Sequence, residues 1–238
     1  MRNLIIDIGN TRIKSAVFEQ GILLEDKVFD ELTDAIIYWE TLFFDQSLVS
    51  SVRWGESDLA KKLPFSFIYL NHETSLPIAN MYGTPATLGL DRIAGAIGAW
   101  SMRRKGPVLA IDLGTCMTFD LIDGQNAYLG GAISPGLAMR ARAMHEQTAR
   151  LPLVDLHVKP DELIGANTIT CMQIGIWLGV ELEILGQIEA YTKKYPEIEV
   201  FISGGDAQSF VSLAKDLIFV VPNLVLYGLN SILNHNVE

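Results

Sequence analysis

Asn3-Leu4-Ile5-Ile6-Asp7-Ile8-Gly9-Asn10-Thr11 and Val108-Leu109-Ala110-Ile111-Asp112-Leu113-Gly114-Thr115 share one pattern, offset by 105 residues at Asp7 and Asp112. Each is a short apolar run that ends in Asp-x-Gly. Each is followed by a second run rich in β-formers, Ile13 to Phe18 and Thr118 to Asp123. Gly9-Asn10-Thr11-Arg12 is a turn signal at hairpin spacing. A strand, a turn and a strand therefore recur together, and the recurrence points to two like-folded halves. Gly106-Pro107 breaks the chain between them, which predicts one domain over 1–106 and another over 107–238.

The remaining pattern fits an α/β protein. Apolar residues fall at helical spacing from Thr33 to Phe44, from Ala86 to Arg104 and from about Thr168 to Lys194. Leu48 to Val52, Phe65 to Leu70 and Glu199 to Ser203 read as further strands. Leu217 to Val237 carries no charged residue, yet Pro222-Asn223, Gly228, Asn230 and Asn234 interrupt it. It reads as a buried strand, a turn and a core-facing helix rather than a membrane span, which needs ~20 mostly apolar residues.

Composition narrows the function. Among 238 residues, 18 Lys and Arg stand against 28 Asp and Glu, a formal net charge of −10. That balance argues against nucleic acid or an anionic membrane as partner, because counterion release needs clustered cations. Cys116 and Cys171 form neither a C-x-x-C pair nor a disulfide framework, and with no signal-peptide core the expected compartment is the cytoplasm.

The Asp-x-Gly turns suit phosphates. Consecutive backbone N–H groups in such a turn form an anion nest, and an Asp at the strand end can meet a hydrated Mg²⁺. Taken singly, each is an ordinary hairpin turn; two at equivalent places favour a split phosphate clamp. Lys14 reads equally as a phosphate ligand or a solvated strand lysine. Asp120 reads equally as a second carboxylate near a metal or a polar residue on the outer face of its strand. At Gly89-Leu90-Asp91-Arg92 an Asp opens a helix, where the helix dipole alone would favour it. Asp91, Gly95 and Gly98 share a face, which suggests room for a substrate, and an Asp base beside an Arg anchor would activate a hydroxyl on an anionic substrate. Gly204-Gly205-Asp206 would let a flat group such as adenine approach the backbone. No P-loop, G-x-G-x-x-G, H-E-x-x-H or G-x-S-x-G stretch is present.

Together, Asp7-Ile8-Gly9-Asn10-Thr11, Gly89-Leu90-Asp91-Arg92, Asp112-Leu113-Gly114-Thr115 and Gly204-Gly205-Asp206 resemble the type III pantothenate kinase family. So do Tyr82 within Asn80 to Pro85, Gly130 to Gly136, Asn167-Thr168 and Met172 to Gly175. The resemblance covers nearly the whole chain; the Asp-x-Gly turns alone would indicate only the wider acetate and sugar kinase, Hsc70 and actin superfamily. It implies two ribonuclease H-like domains around a central cleft, and transfer of the ATP γ-phosphate to pantothenate, the first step of coenzyme A synthesis. Asp7, Ile8, Gly9, Asn10, Thr11, Arg12, Ile13 and Lys14 would form the first phosphate loop, and Thr115 would contact ATP. Tyr82, Gly89, Leu90, Asp91, Arg92 and Thr168 would hold pantothenate, with Asp91 the general base. Asp112 would hold a monovalent cation, K⁺ or NH₄⁺, beside ATP and Mg²⁺. A homodimer is also implied, with the long helix from Thr168 at the contact. Cys116 and Met117 depart from the smaller residues expected after Thr115. A sugar kinase, an exopolyphosphatase or a non-catalytic ATP-binding regulator would share the clamp, but would have no use for Gly89-Leu90-Asp91-Arg92.

Overall fold

The computed structural model describes residues 1–103 and 106–237, and the expected helix end at Arg104 lies outside them. The chain forms two compact units. One comprises Met1–Met102, Asn126–Leu129 and Asn223–Glu238, the other Arg103–Gln125 and Gly130–Pro222.

The first unit opens with β1 (Arg2–Ile8), β2 (Ile13–Glu19), β3 (Ile22–Phe29), α1 (Leu32–Trp39), β4 (Gln46–Ser51), α2 (Glu56–Leu59) and β5 (Ile68–Tyr69). β6 (Ala79–Asn80) and α3 (Leu90–Met102) follow. Its sheet has the order β3-β2-β1-β4-β5; β1 and β2 are antiparallel, while β4 runs parallel to both β1 and β5. Leu4, Ile6, Ile8, Ile13 and Val17 face Ala35, Trp39 and Leu59 in one buried cluster. Ile5 is also fully buried, on the other face, so β1 has no solvent side and reads as an unbroken apolar run.

The second unit contains β7 (Val108–Leu113), β8 (Cys116–Ile122), β9 (Ala127–Pro135), α4 (Leu137–Glu146), α5 (Thr168–Lys194), β10 (Glu199–Ser203) and β11 (Ile218–Val220). Its strands run β11-β10-β7-β8-β9, the order of the first sheet read from the other end. The antiparallel pair β7–β8 and the parallel pairs of β10 with β7 and β11 repeat the first unit's pairings. Leu109, Ile111, Leu113, Met117 and Phe119 pack on Trp177, Ile184 and Phe210. The short β6 pairs with Ala127 and Tyr128 at the start of β9, residues that belong to the first unit.

The last helix, α6 (Leu224–Val237), belongs to the first unit, which corrects the expected assignment of everything beyond 107 to the second half. The physical reason is close packing on α3. A Cβ on Gly98 would lie 2.1 Å from the Leu224 oxygen, and one on Gly228 would lie 1.7 Å from the Ala94 oxygen. Asn3, almost wholly buried on β1, adds polar specificity: its Nδ2 donates to the Oδ1 atoms of Asn230 and Asn234, both at 2.8 Å.

Candidate active site

Both expected turns form. In the first unit β1 and β2 pair down to Ile8 and Ile13, and Gly9 N–H donates to the Arg12 oxygen at 3.0 Å. Asn10, Thr11 and Arg12 are exposed at the tip, and Asp7 stands opposite Lys14 across the ladder, half-buried like it. In the second unit the pairing ends at Leu113 and Met117, and Gly114 N–H donates to the Cys116 oxygen at 3.1 Å. Thr115 is exposed at this tip. Asp7 and Asp112 each alternate with the residues of their unit's core cluster, so each lies on the opposite face of its sheet. Neither Gly9 nor Gly114 adopts a positive φ. Small size counts instead: a Cβ on Gly114 would come within 3.3 Å of Asp112 Oδ1, which places that carboxylate beside the turn.

The second turn is braced from two sides within its own unit. Gly136, between β9 and α4, donates its N–H to the Thr115 oxygen at 3.1 Å, and a Cβ there would lie 2.1 Å from the Gly114 oxygen. Gly204, at the end of β10, has φ +102°, and its Cβ would meet the Leu113 backbone at 2.4 Å. Only glycine combines that dihedral with so close an approach. Asp206 N–H then donates to the Leu113 oxygen at 3.0 Å. The carboxyl ends of the parallel strands β7 and β10 thus converge on one turn, the place where open α/β sheets bind ligands. A cavity of about 550 Å³ adjoins it, lined among others by Leu137, Ala138, Ala141, Leu153, Val154 and Asp206. Burial pushes the Asp206 carboxyl above its usual range. The role of Gly136 was not assigned from the sequence; the Ser134-Pro135-Gly136 stretch was the available signal.

The third group sits on α3. Asp91 is exposed in the first turn, and its Oδ1 accepts from the Arg92 N–H at 2.9 Å. That oxygen would lie 2.6 Å from a Cβ on Gly89, so the glycine leaves the carboxylate its place. The Arg92 guanidinium stands 5.8 Å from the centre of the Tyr82 ring, within cation–π range. Tyr82, Gly89, Asp91 and Arg92 are therefore brought together. The room expected beside Gly95 and Gly98 is not open: Val225 and Leu224 of α6 fill it. Thr168 opens α5 in the second unit, after an Asn167 cap whose side chain accepts from Thr170 N–H at 3.0 Å. Asp120 is buried, 1% exposed. Its register opposite Ala110 places it on the Asp112 face of the sheet.

Among the described residues no three His, Cys, Asp or Glu side chains cluster as a protein-built metal cage. A magnesium nucleotide does not need one. Mg²⁺ keeps several waters and takes one or two carboxylates plus phosphate oxygens, and single Asp residues beside glycine turns fit that demand.

The chain has the fold of the sugar kinase and actin superfamily: it aligns with a glucokinase from an Antarctic psychrotroph at a TM-score of 0.54 and 13% identity, covering 98% of this chain and 99% of that one. Within that class it belongs to the type III pantothenate kinase family, whose model matches residues 3–190. Type III pantothenate kinases of Bacteroides fragilis and Christiangramia forsetii are 41% and 43% identical to it, over 98% of each chain. Its activity is accordingly the ATP-dependent phosphorylation of pantothenate to 4′-phosphopantothenate, the first step of coenzyme A biosynthesis.

Proposed function

We propose that the two Asp-x-Gly turns hold the ATP phosphates and that the α3 group holds pantothenate. The observation that carries this reading is the matched placement of Asp7 and Asp112, each ending the central strand of an identically ordered sheet beside an exposed turn. Residues 7–14 supply backbone N–H groups and Lys14 to one part of the triphosphate; Thr115 contacts the other. Gly204 to Asp206 and the neighbouring cavity take the adenosine side. A divalent ion bound with ATP would neutralise charge building on the phosphate oxygens. Arg92 and Tyr82 orient the anionic acceptor, and Asp91 accepts the proton of the attacking hydroxyl. The hydroxyl oxygen bonds to the γ-phosphorus as the β–γ bridging bond breaks, and ADP leaves with that electron pair. Little covalent help is required, so positioning and charge dominate.

Asp112 also holds a monovalent cation, K⁺ or NH₄⁺, in this reading. The enzyme works in the cytoplasm as a homodimer, with Thr168 linking the contact to the substrate site. Exposed apolar side chains support the dimer: Leu182 is 57% exposed on α5, and Leu163 and Ile164 precede that helix at 73% and 84%. Asp7→Asn and Asp112→Asn are the direct test. Each should cut turnover by about 10²-fold or more, as expected for lost transition-state charge stabilisation. In the parent enzyme, replacing potassium with sodium should abolish most turnover. Near-parental rates in either variant remove that carboxylate from the site, and equal rates in the two salts remove the cation.

A further inference from the structure

We infer that Arg140 is a positioning residue for the second phosphate turn, fixing the β9–α4 junction against it and tying that junction to α5. The inference rests on reading 112–116 as a phosphate turn. Arg140 closes the first turn of α4, and its guanidinium grips three groups at once. Nε donates to the Pro135 oxygen at 2.8 Å, Nη2 donates to Ser134 Oγ at 3.2 Å, and Nη2 also pairs with the Glu183 carboxylate of α5. The fork shape of guanidinium allows this, whereas an ammonium would be a single point donor. Both side chains are only partly exposed, 23% for Arg140 and 28% for Glu183, so water screens the pair less than a surface ion pair. Gly179 of α5 faces the guanidinium at van der Waals distance, leaving it space. The next residue after Pro135 is Gly136, whose N–H holds the Thr115 oxygen and whose missing side chain lets Gly114 approach. A continuous path of contacts therefore runs from α5 through Arg140 and the junction to the turn. All of these contacts lie within the second unit, so loss of Arg140 should weaken nucleotide binding selectively.

The test compares Arg140→Gln and Arg140→Lys with the parent in steady-state kinetics and hydrogen exchange of the peptide covering 112–118. Arg140→Gln should raise KM for ATP about tenfold, the scale of a small misplacement of binding groups, with KM for pantothenate within about twofold. Exchange in 112–118 should accelerate in the nucleotide-free enzyme. Arg140→Lys keeps a charge for Glu183 but loses the fork, and should fall between. Unchanged exchange, or an equal rise in both KM values, overturns the inference. Thr115→Ala separates the two claims. If it leaves KM for ATP unchanged, the phosphate-turn reading fails, while the exchange measurement still judges Arg140. Should Arg140→Gln not fold, Glu183→Gln serves: faster exchange in 112–118 is expected, and no change refutes the role.

Discussion

Asp91 has two partners to satisfy, its own helix and the acceptor. Its Oδ1 accepts from Arg92 N–H, which a first-turn carboxylate or amide oxygen can do equally well. Asp91→Asn therefore keeps the helix start and removes only the basicity. Turnover should fall by ~10²–10⁴-fold, the usual contribution of a positioned base, while calorimetry finds ATP-analogue binding unchanged. A variant that turns over near the parental rate defeats the assignment. Asp206 poses a different question, of protonation. Its carboxyl titrates above the usual 3.8 because burial disfavours the charge. The folded state thus binds this proton more tightly than the unfolded chain does. The associated stability is present below the unfolded value and is lost as pH rises through the raised folded value. Asp206→Asn should then melt above the parent at neutral pH, with the gap closing as pH falls through the weakly acid range. A gap that is constant with pH, or that widens on acidification, excludes a desolvated carboxylate.

Glycines in helices give opposite expectations according to what faces them. On α6 a Cβ at Gly228 would lie 1.7 Å from a backbone oxygen of α3, and nothing there can yield without moving a helix. Gly228→Ala should destabilise by about 1–3 kcal/mol or more, the range for overpacking, read as a lower midpoint in urea. Gly186 on α5 has nothing within 4 Å of its would-be Cβ, so Gly186→Ala should stabilise by roughly 0.5–1 kcal/mol. A Gly228→Ala variant that is as stable as the parent, or more so, would mean that α3 and α6 are not closely packed there. The same contact marks the limit of what the sequence disclosed. Both hairpins, the long helix from Thr168 and the strand, turn and helix after Leu217 were legible, because apolar periodicity and turn residues are local signals. Gly95 and Gly98 were also legible as a gap, but a gap does not name its occupant, and α6 fills it from far along the chain. β3 was not read as a strand: Ile22 to Phe29 lies at a sheet edge, and its Ile22, Leu24 and Val28 stay exposed among charges. β9 was not read as a strand either: Gly130 and Gly131 carry no side chain to show alternation, and a Cβ on Gly131 would lie 1.6 Å from the Phe119 backbone oxygen.

At the scale of the whole molecule, the proposed dimer rests on what α5 leaves outside the core. It is the one described helix long and apolar enough by length and composition to pass as a membrane span. Its apolar residues divide into two sets. Ile174, Trp177, Val180, Ile184 and Ile188 are buried in the core of the second unit, which accounts for much of the stripe read from the sequence. Leu182 and Leu185 point elsewhere, 57% and 37% exposed, and Ile169 near the helix start is 50% exposed. Gly179 on the same helix faces Arg140 of its own unit. The proposed interface is therefore expected on the Leu182 and Leu185 side together with the apolar segment before the helix. Burying such side chains is worth about 1.5–3 kcal/mol each, enough for a few of them to hold a dimer at micromolar concentration. Sedimentation should accordingly give twice the 26.3 kDa chain mass. Leu182→Glu with Leu185→Glu should dissociate it while leaving the core residues of α5 in place, and activity should fall with the dimer. An active monomer, in the parent or in the double variant, would show that the pantothenate site is complete in one chain and that the exposed side of α5 serves something else.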